Sequence, residues 1–193
     1  MVEAATALFE EKGYRGTTLD DIARKAGMAK PTVYQYVGSK GELLESIFSR
    51  VLDRMDDNFA RIEKIDDRLV QLVTFVRNYV ASVTELQPYY RIFFGEEREL
   101  PPRTRTRFRQ WSHDMSERMV SLVADAQIEG IVRSELDARL TVNLVVGMLS
   151  SIARWYRPGP WSVERIVEEV AVIVANVVVP EHRHAVSALF GSA

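Results

Sequence analysis

The chain has no cysteine among its 193 residues, which excludes disulfide staples, thiol nucleophiles and thiolate metal sites and fits a reducing cytoplasm. Histidine is scarce: His113, His182 and His184 are the whole set, and the last two fall in a terminal segment. No zinc-ligand spacing, nucleophile elbow or phosphate-cradling glycine loop accompanies them, so no enzyme and no metal or other cofactor is expected. Net charge is nearly absent at −2, so an indiscriminate polyanion binder is not indicated and any nucleic-acid contact has to come from a local patch. The longest apolar run, Val170 to Val179, falls well short of the roughly 20 residues that a membrane-crossing helix needs. With no signal peptide in view either, the expected location is cytoplasmic, with no membrane partner.

What is present is helical periodicity. A hydrophobic content of 47% supports one large or two small domains with a substantial core. Apolar residues recur at helical spacing from end to end, giving an all-α chain of about nine helices. The serious strand candidate is Val170 to Val179, yet Ile166, Val167, Val170, Ile173, Val174 and Val177 keep a helical stripe, so a helix ending near Pro180 is expected. Further helices are expected from Ser39 and Glu42, as a capping box, through Phe59, from Asp67 to Leu86, from Tyr89 to Glu97, from Arg103 to Glu129, and from the Ser134–Asp137 cap region to Tyr156.

The run Thr17 to Lys40 carries the strongest local signal. Thr18 is placed to cap a short helix with Asp21 three residues on, Gly27 suits a left-handed turn, and Pro31 sits in the first turn of a second short helix. Val33 and Val37 then share one face, while Lys30, Thr32, Gln35 and Tyr36 project outward as donors and acceptors for base edges or phosphates. Charge alone adds little, because from Met1 to Gly41 six cationic side chains face five acidic ones.

From Ala4 to Leu44 the sequence resembles the amino-terminal domain of TetR-family transcriptional regulators. The matching positions are Ala5, Phe9, Gly13, Thr17, Thr18, Tyr34 and Lys40, in the family's order. The resemblance implies a three-helix helix-turn-helix head over residues 1–45 and a ligand-binding and dimerisation body over 46–193. Val37 stands where the family usually has phenylalanine, which implies a smaller plug under the recognition helix. Met1 begins almost inside the first helix, where relatives carry a basic arm. Two explanations stay open: a native start further upstream, or fewer phosphate contacts and weaker, less salt-sensitive DNA binding.

The implied partner is a double-stranded, palindromic DNA operator, with Lys30, Thr32 and Gln35 assigned to bases and Thr17, Thr18, Tyr34, Tyr36 and Lys40 to phosphates. The implied body holds a small-molecule effector among its middle helices. Candidate lining comes from the aromatic side chains Phe75, Tyr79, Tyr90, Phe93, Phe94 and Trp111, with Met115 and Met148 as adaptable fillers. The segment Arg154 to Gly159 resembles a stretch of an actinobacterial subgroup that responds to coenzyme A thioesters, which adds Arg154 and Trp155 to the ligand set. The apolar helices Leu140 to Tyr156 and Val163 to Val179 imply a homodimer, through Leu144, Gly147 and Ser151 on the first and Ile166, Val170, Ile173, Val174 and Val177 on the second. A protein of this fold that binds ligands or partners but has lost its operator is the competing expectation. Arg103, Arg105, Arg107 and Arg109 advance two residues at a time around a helix, so they read as a solvated face that balances Glu96, Glu97 and Glu99.

Overall fold

The computed structural model describes residues 1–191 and is built of helices. They are α1 (Val2–Lys12), α2 (Leu19–Lys25), α3 (Lys30–Tyr36), α4 (Lys40–Ile62), α5 (Arg68–Glu85), α6 (Gln87–Gly95), α7 (Pro102–Ile128), α8 (Ala138–Trp155), α9 (Val163–Val174) and α10 (Arg183–Gly191). Single 3-10 turns occupy Glu97–Glu99 and Pro180–His182.

The chain forms two compact units. The first comprises Met1–Arg54 and Leu86–Gln110, the second Met55–Glu85 and Trp111–Ala193. In the first unit α1, α2 and α3 bury Ala5, Ile22 and Val33 completely. Phe48 of α4 meets the ring of Phe93 at 5.0 Å and that of Phe108 at 5.4 Å, so α6 and the start of α7 are held by stacked aromatics. In the second unit α5 packs against α8, α9 and α10, with Val80, Val83, Leu149 and Ile152 in the core.

Local chemistry explains the helix ends. Thr18 and Asp21 form a reciprocal capping box: the Asp21 N–H donates to Thr18 Oγ1 at 3.1 Å, and the Thr18 N–H donates to Asp21 Oδ2 at 3.1 Å. The donors from Thr18, its hydroxyl first, hold the Asp21 carboxylate below its ordinary pKa. Gly27 follows at φ 65, the left-handed value that lets α2 stop and α3 leave at an angle. Asp137 accepts from the Leu140 N–H at 2.7 Å to start α8, and Ser162 from the Arg165 N–H at 3.2 Å to start α9. At α4, the Glu42 carboxylate takes the Gly38 N–H at 3.2 Å, one residue before the expected Ser39. A Thr18→Ala change removes the α2 cap and is expected to cost about 1 kcal/mol, or about 2–4 °C in Tm for a chain of this size. Thermal unfolding by circular dichroism checks it, and an unchanged Tm counts against the cap.

Two expectations need correction. The helix expected to reach Pro180 ends at Val174, because Val178 enters an antiparallel bridge with Val132. The Val179 N–H donates to Ile131 O at 2.9 Å and the Arg133 N–H to Val177 O at 3.2 Å, so the β-favouring valines find a strand-like partner in the α7–α8 connection. Beyond that bridge, α10 closes the second unit with buried Val186 and Phe190, a helix the periodicity reading did not include.

Candidate nucleic-acid interface and apolar cavity

The face of α3 opposite buried Val33 and Val37 is polar and aromatic. Tyr34 is 55% exposed and Tyr36 71%, Lys30 and Gln35 are exposed, and Thr32 is half-buried. These five of the eight predicted DNA residues share one seven-residue helix. Large exposed aromatic side chains on so short a helix leave apolar surface in water unless something covers it. Lys30 Nζ lies 2.5 Å from Asp20 Oδ2, a surface pair that any DNA contact by Lys30 has to exchange.

The other three are held inside the head, which corrects the phosphate roles assigned to them. Thr17 is 1% exposed, and its hydroxyl is shared between Leu8 O at 3.2 Å and Gly13 O at 2.9 Å. The Thr18 hydroxyl serves the α2 cap, donating to Asp21 Oδ2 at 2.7 Å. Lys40 Nζ donates to Tyr14 O at 2.7 Å and Thr17 O at 3.0 Å, and lies 4.3 Å above the Tyr14 ring centroid. It fastens the start of α4 to the α1–α2 turn. The same turn is gripped from the other side by residues that sequence reasoning missed. Glu96 Oε1 accepts from the Tyr14 N–H at 3.4 Å, Glu99 pairs with Arg15 at 2.7 Å, and Arg91 of α6 pairs with Glu10 of α1. Of the acids expected to balance the arginine run, Glu97 does meet Arg109, at 3.3 Å, but Glu96 and Glu99 turn to the head. No spacing in the sequence announces contacts across more than eighty positions.

The second unit encloses a cavity of about 60 Å³. Its wall is drawn from α5, α7, α8, α9 and α10 and is almost wholly aliphatic; Thr141 carries the hydroxyl. Of the predicted ligand residues Phe75 lines it, as does Met119. Tyr90, Phe93 and Phe94 instead stack on one another in the first unit, since rings this large fill space more readily than they leave it. Trp111 donates to Asp56 at 2.9 Å, Met115 is buried core, and Met148 is half-buried outside the lining. Arg154 is exposed, and Trp155 packs edge-to-face on Trp161 at 6.3 Å, with 47% of its surface in solvent. Tyr79, next to Phe75 at a ring distance of 5.9 Å, shares a 2.6 Å hydrogen bond with Ser150.

Burial pushes the Tyr79 hydroxyl up to about 12, so it stays protonated. The folded state then holds this proton more tightly than the unfolded one, and stability falls as pH rises from 10 towards 12, by at most about 1.4 kcal/mol per unit. Urea titrations of the wild type and Tyr79→Phe over that interval should converge as pH rises. Parallel curves count against the shift.

The predicted dimer residues divide by exposure. Ile166 and Val170 are 6% exposed, and Val174 and Val177 line the cavity, so these four serve the protomer's own interior. Leu144 and Ile173 remain 66% and 54% exposed, Gly147 is exposed and Ser151 half-buried. Leu140, Leu144, Gly147, Ser151 and Trp155 follow one another at three- and four-residue steps, an apolar stripe along α8. Sequence alone could not split α9 this way, because both of its faces are apolar.

Residues 1–47 match the pattern described as "Bacterial regulatory proteins, tetR family", and residues 66–178 the pattern "Tetracyclin repressor-like, C-terminal domain". The chain belongs to the TetR family. It is therefore a transcription regulator with a helix-turn-helix DNA-binding head. The HTH-type transcriptional repressor KstR2 of Mycobacterium tuberculosis is 26% identical over 187 residues, covering 94% of this chain and 92% of that protein. The solved structure of that ketosteroid transcriptional regulator superposes with a TM-score of 0.85 at 24% identity, covering 92% of each chain. AibR in complex with isovaleryl coenzyme A and operator DNA superposes with a TM-score of 0.80 at 23% identity, covering 91% of this chain and 95% of that one. Both superpositions speak for the fold. Among the described residues no helix is long and apolar enough to cross a membrane, and no three metal-ligating side chains converge.

Proposed function

We propose that the protein is a homodimeric repressor that places one α3 in each of two major grooves of a palindromic operator and releases it when a small molecule enters the second unit. The observation that carries this reading is the exposed face of α3, where Lys30, Thr32, Tyr34, Gln35 and Tyr36 stand over a fully buried Val33. Lys30, Thr32 and Gln35 read bases, and Tyr34 and Tyr36 position phosphates. Half-sites lie about one helical turn, roughly 34 Å, apart. Exposed Leu144, Gly147 and Ile173 support a two-fold contact through α8 and α9. The effector has an apolar part, because the cavity is aliphatic; a coenzyme A thioester fits that requirement and is the kind of ligand with which AibR was solved. To act, it has to prefer the conformation that does not hold DNA.

Selection of bound fragments from random duplex DNA by the purified protein, repeated over a salt series, tests the reading. Recovery of one palindrome supports it. The second reading, a sensor without an operator, is favoured by the internal engagement of Thr17, Thr18 and Lys40 and predicts no enriched sequence.

A further inference from the structure

The aliphatic cavity and a buried cation near it together describe a narrower ligand than the family does. The cavity's 60 Å³ is less than half of the roughly 150 Å³ that holds a benzene ring in a dry protein interior. It therefore admits an alkyl group of about three to four carbons and excludes fused rings. Val73, Val76 and Leu122 wall it from α5 and α7, Val142 and Val146 from α8, and Val186 from α10. A charged group inside would have no partner there beyond the Thr141 hydroxyl.

The second observation is on α10. Arg183, Val186 and Phe190 fall at helical spacing on one face, and Val186 and Phe190 are buried at 1% and 6%. Arg183 is thus on the inward face, one turn from a residue that lines the cavity. Its Nε–H is buried and has no acceptor. An unmatched buried donor on a cation is unfavourable by more than a neutral one, and native structures seldom keep one without an occupant to receive it.

We propose that the cavity and Arg183 form one subsite for a short acyl group, with the alkyl end among the valines and a carbonyl or carboxylate oxygen accepting from Arg183 Nε. This rests on the reading of the second unit as the effector-binding part. Free carboxylic acids and thioesters present the same oxygen, so both are probes.

Calorimetric titration of the full-length protein with propanoate, butanoate, isovalerate, octanoate and cyclohexanecarboxylate, and with their N-acetylcysteamine thioesters, tests it. Affinity is expected to peak at butanoyl or isovaleryl and to fall at least about tenfold for octanoyl and cyclohexanecarbonyl. Arg183→Met is expected to lower every affinity about tenfold or more and keep the order of chain lengths. Val142→Ala should shift the optimum to longer chains, and Val146→Leu to shorter ones should the first variant fold poorly. Tighter acids identify a free carboxylate as the partner of Arg183, tighter thioesters a carbonyl. Octanoyl or cyclohexanecarbonyl binding as tightly as butanoyl overturns the size limit, and unchanged affinity in Arg183→Met overturns the polar half. If no member binds, the subsite is wrong. Release of the selected operator by a metabolite extract then tells whether the effector reading survives it.

Discussion

Replacing Leu144 with glutamate should convert a dimer into a monomer that no longer holds operator DNA at concentrations where the wild type does. Leu144 is 66% exposed in the protomer, in a stripe with Leu140 at 57% and close in sequence to Gly147. Fully covering a leucine contributes about 1.5–3 kcal/mol, and two-fold symmetry makes each change count twice. A carboxylate from each copy forced into the same apolar contact removes that gain and adds unpaired charge. Operator binding suffers more than dimerisation alone suggests, because two linked heads bind with an avidity about 10²–10⁴ above that of one. Sedimentation velocity and gel-shift titration measure the two effects. Gly147→Leu guards against a simple folding defect: a Cβ at Gly147 meets no atom within 4 Å, so the protomer accepts it while a partner helix in close approach does not. Dimers that survive both changes place the interface elsewhere.

That experiment turns on a distinction the sequence made visible only in part. The three head helices were legible because capping, glycine and proline chemistry act within a few residues, as Thr18, Asp21, Gly27 and Pro31 do. Helix starts at Asp137 and Ser162 were legible for the same reason. What failed depended on distant partners. Val174 to Val179 has the composition of both a helix and a strand, and only the 131–133 segment beside it decides that α9 stops. Ile166 and Ile173 look alike on an apolar helix, yet one is 6% and the other 54% exposed, because α9 has a core on one side. In the candidate ligand site, aromatic residues drew attention while aliphatic ones line the space. An aromatic ring in a protein interior is usually the filling, and a cavity survives where branched, stiff valines such as Val142 and Val146 fail to reach across. Outward residues of α3 were legible from periodicity alone. Thr17 and Lys40 were not, since a polar side chain near DNA and a polar side chain closing a turn have the same spelling.

Lys40→Met is where those two meanings separate. The ammonium of Lys40 donates to Tyr14 O at 2.7 Å and Thr17 O at 3.0 Å and lies over the Tyr14 ring, tying α4 to the turn that orients α2 and hence α3. Hydrogen bonds to a charged group are worth about 1.5–3 kcal/mol each when buried, and this group is half-buried, so a loss of about 2–3 kcal/mol in the head is expected from the pair. Methionine keeps most of the side-chain bulk and removes the three donors. Operator affinity should fall with head stability, by about tenfold or more, because α3 is then correctly posed for a smaller fraction of the time. The salt dependence identifies the cause. A lost phosphate contact lowers the slope of log K against log salt by about 0.9, whereas a lost internal strut leaves the slope unchanged and lowers Tm. We expect an unchanged slope and a lower Tm. A slope reduced by about one with Tm intact would return Lys40 to the phosphate backbone and leave the α1–α2 turn held by Glu96 and Glu99 alone.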